Sequence, residues 1–447
     1  MHPKRIVSHV VTVSLGLVFT AQARIGMGAQ TEGQPQSWTL EELERIALSH
    51  NPTLAQADAA IRAAAGLTLQ AGLYPNPIMG YMAEELSLRA ASKTSEHLFF
   101  MEQAIVTAGK LKHSRSIFAQ EQLQEEANKE AQTLRVVNGV RLLYFEALGA
   151  QQMVELRRSL VEIARGADTT SQQLFNVGAA DRPDLLEAQI ERHQSEVDLM
   201  EAENDLDRVW RMLAAMVGNP SLERAPLEGD LEAEIPKLDP DSVLVTLLQE
   251  SPEIKRAEAG VERARGVLRR AKAEPVPDAL LRGGVGYNLE RSEFLGGSVG
   301  PEAFIEVGFR VPLFNRNQGN IAAAQAEIRR AEQEVTRLEL ELRSRLAVVY
   351  DRYLDSLGLV ERYQTEVLPK AQEAYDLYLA RFREMGAAYP QVLIAQRTLF
   401  QVRAQYVETL VELRQDDLLI RGMLLAGGLE PPGMRVSDRE MTAPPAQ

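Results

Sequence analysis

Ala303-Phe304-Ile305-Glu306-Val307-Gly308-Phe309-Arg310-Val311-Pro312-Leu313 alternates along its length. Ala303, Ile305, Val307, Phe309, Val311 and Leu313 fill the odd positions, and Glu306, Gly308 and Arg310 are among the even ones. A period of two is that of a β-strand with one apolar and one polar face. Upstream, residues 279–289 do the same. Ala279, Leu281, Val285, Tyr287 and Leu289 lie on one side, with Arg282, Gly284, Gly286 and Asn288 on the other. Residues 78–88 and 97–106 form a less regular second pair. Each segment has the roughly ten residues that a tilted strand needs to cross a bilayer. A polar, glycine-containing face opposite an apolar one is the pattern of a water-filled, lipid-facing barrel. On that reading Arg282, Asn288, Glu306 and Arg310 are candidate lumen residues. Four strands cannot close an aqueous barrel, and open edges are not tolerated in lipid, so several chains must share one barrel. The competing reading is a soluble four-stranded sheet covered by helices. Against it, the hairpins lie 200 residues apart, between helices too long to fold back over them.

That spacing comes from an internal duplication. Residues 52–77 align with 252–277 without a gap. Pro52/Pro252, Ala64/Ala264, Gly66/Gly266, Ala71/Ala271, Pro75/Pro275 and Pro77/Pro277 are among the identities. Val177-Gly178-Ala179-Ala180 later matches Met385-Gly386-Ala387-Ala388. Each half therefore carries the same elements in the same order, with repeats expected over 38–235 and 236–429. Between the strands and these glycines run spans free of proline, which breaks helix interiors. Helices are predicted over about 54–73, 110–177, 184–217, 253–273, 318–384 and 391–425, with a kink at Pro369. Gly178 and Gly386 suit the reversal between long helices, because glycine accepts a left-handed backbone. Pro183 and Pro390 suit the first turn of the returning helix. Heptad spacing predicts three packing seams. They are Leu156-Leu160-Ile163-Ala167-Thr170-Leu174-Val177, Leu199-Ala202-Leu206-Val209-Leu213-Met216 and Val392-Ala395-Leu399-Val402-Tyr406-Thr409-Leu413.

The N-terminus reads as a secretory signal. Lys4 and Arg5 precede an apolar run from Ile6 to Thr20, and Ala21-Gln22-Ala23 offers a cleavage site. Residues 1–23 are the expected signal peptide and 24–37 a flexible leader. Processing would take the net charge from −14 to −16, which argues against a nucleic-acid partner. No other stretch is long and apolar enough for a spanning helix. With no cysteine, disulfides, thiolate metal sites, a cysteine nucleophile and an N-terminal lipidated cysteine are not expected. His50, His97, His113 and His193 show no metal-ligand spacing. No nucleophile–base motif or phosphate loop occurs, so no enzyme and no cofactor are expected. Residues 430–447, with four prolines, read as a disordered tail.

The chain resembles the TolC-like outer-membrane efflux channels over about 39–427. The resemblance is carried by Asn51-Pro52-x-Leu54, Ala71-Gly72-Leu73-Tyr74-Pro75-Asn76-Pro77, Gly109-Lys110 and Val311-Pro312-Leu313-Phe314-Asn315-Arg316-Asn317-Gln318-Gly319-Asn320. The Pro-Asn-Pro and Arg-Asn-Gln-Gly runs look most like the heavy-metal-efflux branch. The resemblance implies a mainly α fold with a small membrane β part, in which duplicated long coiled-coil helices with two strands each assemble as a homotrimer into one β-barrel and a helical tunnel. It implies outer-membrane lipid around the barrel, a periplasmic adaptor docking on Val177-Gly178-Ala179 and Met385-Gly386-Ala387, and a proton-driven inner-membrane pump behind it. It places a constriction just after the tips, where Asp184, Glu187 and Asp181 stand in the first half and Gln391 and Ile394 in the second. At most one acidic ring is therefore expected. The implied function is a passive exit duct for metal cations. Drug efflux or type I protein secretion on the same fold, and a pore-less coiled-coil scaffold, are the alternatives.

Overall fold

A computed structural model of the protein describes residues 37–86, 95–233, 235, 237–292, 296–384 and 389–432. The expected signal peptide, nearly all of the leader, most of the tail, and Met385, Gly386 and Ala387 lie outside these residues. The first half runs α1 (Leu40–His50), α2 (Pro52–Gln70), β1 (Ile78–Glu84), β2 (Glu96–Ile105), α3 (Lys110–Asn176), α4 (Arg182–Val217). The second runs α5 (Pro240–Glu250), α6 (Pro252–Ala273), β3 (Ala279–Ser292), β4 (Gly297–Phe309), α7 (Gln318–Arg362), a π-helical turn (Tyr363–Val367), α8 (Leu368–Arg383), α9 (Tyr389–Arg421). The halves correspond element by element.

Helices α1 and α5 extend the duplication beyond the aligned stretch. Their start signals are local. Thr39 and Glu42 form a capping box, the Thr39 hydroxyl accepting from the Glu42 amide and the Glu42 carboxylate from the Thr39 amide. Asp239 accepts from the Ser242 amide ahead of Pro240.

Helix α3 has 67 residues, about 100 Å at 1.5 Å per residue. Helices α4 and α2 pack along it in succession. Arg157 of α3 pairs with Asp198 of α4 at 3.1 Å, and Lys129 of α3 with Asp58 of α2 at 2.7 Å. The two shorter helices meet where the Asn51 amide donates to the Met216 carbonyl at 3.0 Å. The second half is built alike and lies alongside, with Lys255 of α6 bonded to Glu130 of α3 at 2.8 Å.

Each half has its own core. Leu43, Val140, Tyr144, Val209, Leu213 and Leu231 fill the first. Leu247, Ile254, Leu342, Tyr353, Leu413 and Ile420 fill the second. Helix α9 stitches them together, because its Tyr406 and Leu410 belong to the first. Burial pushes the Tyr144 hydroxyl up to about 12, with the nearby Glu228 charge adding to the shift. Its hydroxyl donates to the Glu228 carbonyl. Buried amides fasten the chain after α9 to the first half. Asn138 donates to the carbonyls of Gly422 and Leu425 at 2.8 and 2.7 Å, and Gln132 to Gly428 at 3.0 Å.

Several expectations need correcting. Strand β4 begins six residues earlier than the alternation starts and ends at Phe309, so Arg310, Val311 and Leu313 lie beyond it. Pro312 has no N–H for a ladder bond. Strand β3 runs on to Ser292, past the expected 289. The α4 and α9 seams are buried as predicted, from Ala202 to Leu213 and from Val392 to Leu413, with Val402 partly buried. The α3 seam is out of phase. Leu160 of the predicted seam is buried, but the buried line continues through Val161, Ala164 and Ser171, and Ile163, Thr170 and Val177 are exposed. The kink at Pro369 takes the form of a π turn over Tyr363–Val367. Proline lacks the N–H and its ring crowds the preceding turn, and a widened turn relieves that crowding.

Leu213 is fully buried where α4, α3 and α1 converge. Leu213→Ala is expected to cost about 3 kcal/mol, read as a lower midpoint in chemical denaturation; a midpoint unchanged from wild type would show that this core is not what holds the half together.

Candidate functional site

The four strands form one antiparallel sheet in the order β1-β2-β3-β4. The central β2–β3 pair joins the two halves, with Phe99 opposite Val285 and Glu102 opposite Arg282. Among the described residues, β1 and β4 each keep one unpaired edge. The pairing puts all odd-numbered residues on one face. Met79, Tyr81, Phe99, Val285, Ile305 and Phe309 lie there, all exposed, with Ile305 82% accessible. No Asp, Glu, Lys or Arg lies on this face among the paired residues preceding the irregularity after Asn288. His97 is satisfied within it, bonded to the Tyr81 hydroxyl at 2.5 Å and to the Ser95 hydroxyl at 3.0 Å. Exposed apolar surface of this extent needs covering.

The even face is polar. Among the paired residues up to Asn288 it carries Glu84, Glu96, Glu102, Glu302 and Glu306 with one cation, Arg282; past the irregularity Arg291 stands opposite Ser298 on the same side. Arg282 sits 3.9 Å from Glu102 and 3.8 Å from Glu306. Its guanidinium lies over the Phe100 ring at 4.2 Å. Asn288 is buried and donates to Glu96 at 2.7 Å. Two glycines of this face are spaces for rings. Gly80 and Gly284 stand opposite Phe100 and Phe304, and a Cβ on Gly80 would fall 2.5 Å from the Phe100 ring. Arg282, Asn288 and Glu306 are thus brought together on one surface, whereas Arg310 is not in the sheet.

Both strand-to-helix junctions use left-handed residues, Gly109 before α3 (φ 66°) and Asn317 before α7 (φ 59°). At the first, Lys110 is only 4% exposed and pairs with Asp278 at 2.9 Å. Asp278 also accepts from the Thr107 amide at 2.8 Å. Burial pushes the Asp278 carboxyl up, but the Thr107 amide and the Lys110 ammonium outweigh it and hold the carboxyl below the usual carboxylate range. At the second junction the Asn317 side chain donates to the Ala271 carbonyl at 2.8 Å instead.

The far end of α3 closes in a Schellman turn. The Ala179 amide donates to Leu174 at 2.8 Å and the Gly178 amide to Phe175 at 3.0 Å, with Gly178 at φ 75°. Val177 projects into solvent, 77% exposed. Asp181 begins α4 without a side-chain cap bond, and Pro183 lies in its first turn. Asp184 is half-buried, and Asp181, Glu187 and Gln391 are exposed. Three turns into these returning helices, Arg397 of α9 pairs with the buried Glu191 of α4. That link between the halves was not read from the sequence, because Glu191 stands in a run of ordinary surface charges. Among the described residues, no group of acidic or histidine side chains could hold a metal ion, and no helix is long and apolar enough to cross a membrane.

The sequence profile described as Outer membrane efflux protein matches residues 43–219 and 243–424, one match in each half. The chain belongs to that family. Over 383 residues, 84% of this chain and 87% of the relative, it is 28% identical to the Cobalt-zinc-cadmium resistance protein CzcC of Cupriavidus metallidurans. Among solved structures, the outer membrane protein VceC of Vibrio cholerae is similar with a TM-score of 0.70 at 19% identity, over 87% of this chain and 96% of that one. CusC is similar with a TM-score of 0.69 at 18% identity, over 87% of this chain and 92% of that one. The family makes the protein an outer-membrane efflux channel, not an enzyme. The mainly α fold with its small antiparallel sheet is the family's.

The Lys110–Asp278 pair makes a pH-dependent contribution. Because the folded pKa of Asp278 is depressed, the contribution is present above the unfolded carboxylate value of about 3.9 and is lost as pH falls through the folded value. Asp278→Asn is expected to cost about 2 kcal/mol at pH 7, discounted because Asp278 is 39% exposed. The difference should shrink below about pH 4. Denaturant midpoints of both proteins at pH 7 and pH 3 check this; an equal gap at the two pH values would count against it.

Proposed function

We propose that the protein is the outer-membrane exit duct of a tripartite efflux system, working as a homotrimer that conducts metal cations passively. The observation that carries this is the sheet itself, apolar and exposed on one face, acidic on the other and unpaired at both edges. Three copies joined β4 to β1 would leave no edge, turn the odd face to lipid and enclose the even face as a lumen. The duplication suits that ring, since equivalent hairpins then alternate around it. Arg282, Asn288 and Glu306 would line the lumen. The exposed α3 seam of Ile163, Thr170 and Val177 would then face a neighbouring copy.

The helices would form a tunnel through the periplasm, with the α3–α4 turn and the far end of α8 pointing at the inner membrane. Val177, Gly178 and Ala179, together with Met385, Gly386 and Ala387 of the second repeat, would meet the adaptor, and a proton-driven pump would supply the energy. Asp184, with Asp181 near it, would form an acidic ring at the tunnel mouth, with Glu187 and Gln391 one turn further in or on the second repeat. Such a ring favours cations. The similarity to a cobalt, zinc and cadmium resistance protein supports metal cargo. Loss of the gene should lower tolerance to those ions.

Purified protein is expected to run as a heat-resistant trimer and to conduct ions in planar bilayers. A detergent-independent monomer without conductance would favour a scaffold. Asp184→Ala trimers should conduct more and prefer cations less; unchanged conductance and preference would remove Asp184 from the gate.

A further inference from the structure

The even face of the sheet has a charge arrangement that the duct reading does not require. Among the paired residues up to Asn288, five carboxylates share it with one guanidinium, and Arg291 follows only past the irregularity, opposite Ser298. Arg282 does not stand out from the wall. It lies on Phe100, between Glu102 and Glu306, with the Met82 sulfur 3.4 Å from one nitrogen. Phe304 adds a second ring at 5.9 Å. Phe100 and Phe304 in turn lie opposite Gly80 and Gly284, whose missing side chains give them room along the strands. Rings and guanidinium are therefore inlaid, and the cation is spent locally on its two neighbours. The Glu306 carboxylate remains largely exposed, at 59%, on the same surface.

We infer that the barrel wall is itself a charge filter favouring cations, with Arg282 the residue that sets its strength. The inference rests on the trimeric duct reading, in which this face becomes the lumen. Each chain would then contribute more negative than positive charge along the crossing, inside a low-dielectric wall that focuses the field. Cations would be concentrated throughout the barrel, independently of the acidic ring at the tunnel mouth. Arg282 moderates the field. Without it the Glu102 and Glu306 charges would be fully expressed, whereas an isosteric amide at position 306 would weaken it.

The test is the reversal potential of single trimers in planar bilayers under a potassium chloride gradient at low salt. Wild type, Glu306→Gln, Arg282→Gln, Arg282→Lys and Asp184→Asn are compared, each first shown to be a heat-resistant trimer. Expected are a cation-selective wild type, a permeability ratio lowered about twofold by Glu306→Gln, and one raised about twofold by Arg282→Gln. Arg282→Lys keeps the charge but not the planar stack, and should restore the wild-type ratio. Both shifts should persist in an Asp184→Asn background. Unchanged ratios in a conducting Glu306→Gln channel overturn the filter and leave the duct intact. Equal shifts from Arg282→Gln and Arg282→Lys reduce Arg282 to a packing role and overturn its assignment. A wild type that never conducts defeats the duct reading itself.

Discussion

A four-stranded sheet with one apolar face leaves two rows of backbone N–H and C=O groups at its edges, and in hydrocarbon each unpaired group costs several kcal/mol. That cost governs the rest of the architecture. It explains why one hairpin per half is joined through β2 and β3 in the middle of the sheet, and the separate cost of charge in hydrocarbon matches an odd face without charged residues among the paired strands before the irregularity in β3. It also explains why the strands must be fixed accurately to the helices below them. An error of one residue would exchange the two faces. Gly109 and Asn317 hold that register through left-handed turns directly before α3 and α7.

The duplication supplied the plan, and each copy then changed. At the first junction a buried ammonium needs Asp278 from the other half, whereas at the second a neutral amide reaches a backbone carbonyl. Lys110 is also the first residue of α3, where the helix dipole opposes a positive charge. Asp278 offsets both burdens, which makes the two halves mutually dependent at the sheet's base. The returning helices differ in the same way, with Asp184 in α4 and Gln391 in α9. A doubled unit can put charge on one copy and neutrality on the other without altering the backbone plan.

Much of this was legible in the chain itself. Alternation at 279–289 and 303–309 gave the strands and their faces, because a half-exposed strand must alternate. Proline and glycine marked the helix limits, because their backbone constraints hold whatever packs around them. The seams of α4 and α9 were readable since each is buried against helices of its own chain. The α3 seam was not, because Ile163 and Val177 obey the heptad yet face outward; heptad spacing shows that a stripe is apolar, not what covers it. Helices α1 and α5 were missed because each is only 11 residues long, too short for periodicity to emerge, although Thr39-Glu42 and Asp239-Pro240 were capping signals. Arg282 and Glu306 were readable as polar-face residues. The stacking of Arg282 on Phe100 was not, since it crosses from the second half to the first.

The π turn at Tyr363–Val367 has a mechanical side. Widening one turn by a residue advances everything after it by about 100° around the axis, so the face that α8 shows to α9 is set there and not by the sequence of α8 alone. Beyond the turn, α8 extends 16 residues, an arm of about 24 Å. A bend of about 10° at that joint would swing the end of the arm by roughly 4 Å. The first half, whose α3 runs uninterrupted to Asn176, has no such joint among its described residues. One hairpin has an unbroken α-helical arm, and in the other any bend at the π turn would be multiplied along α8.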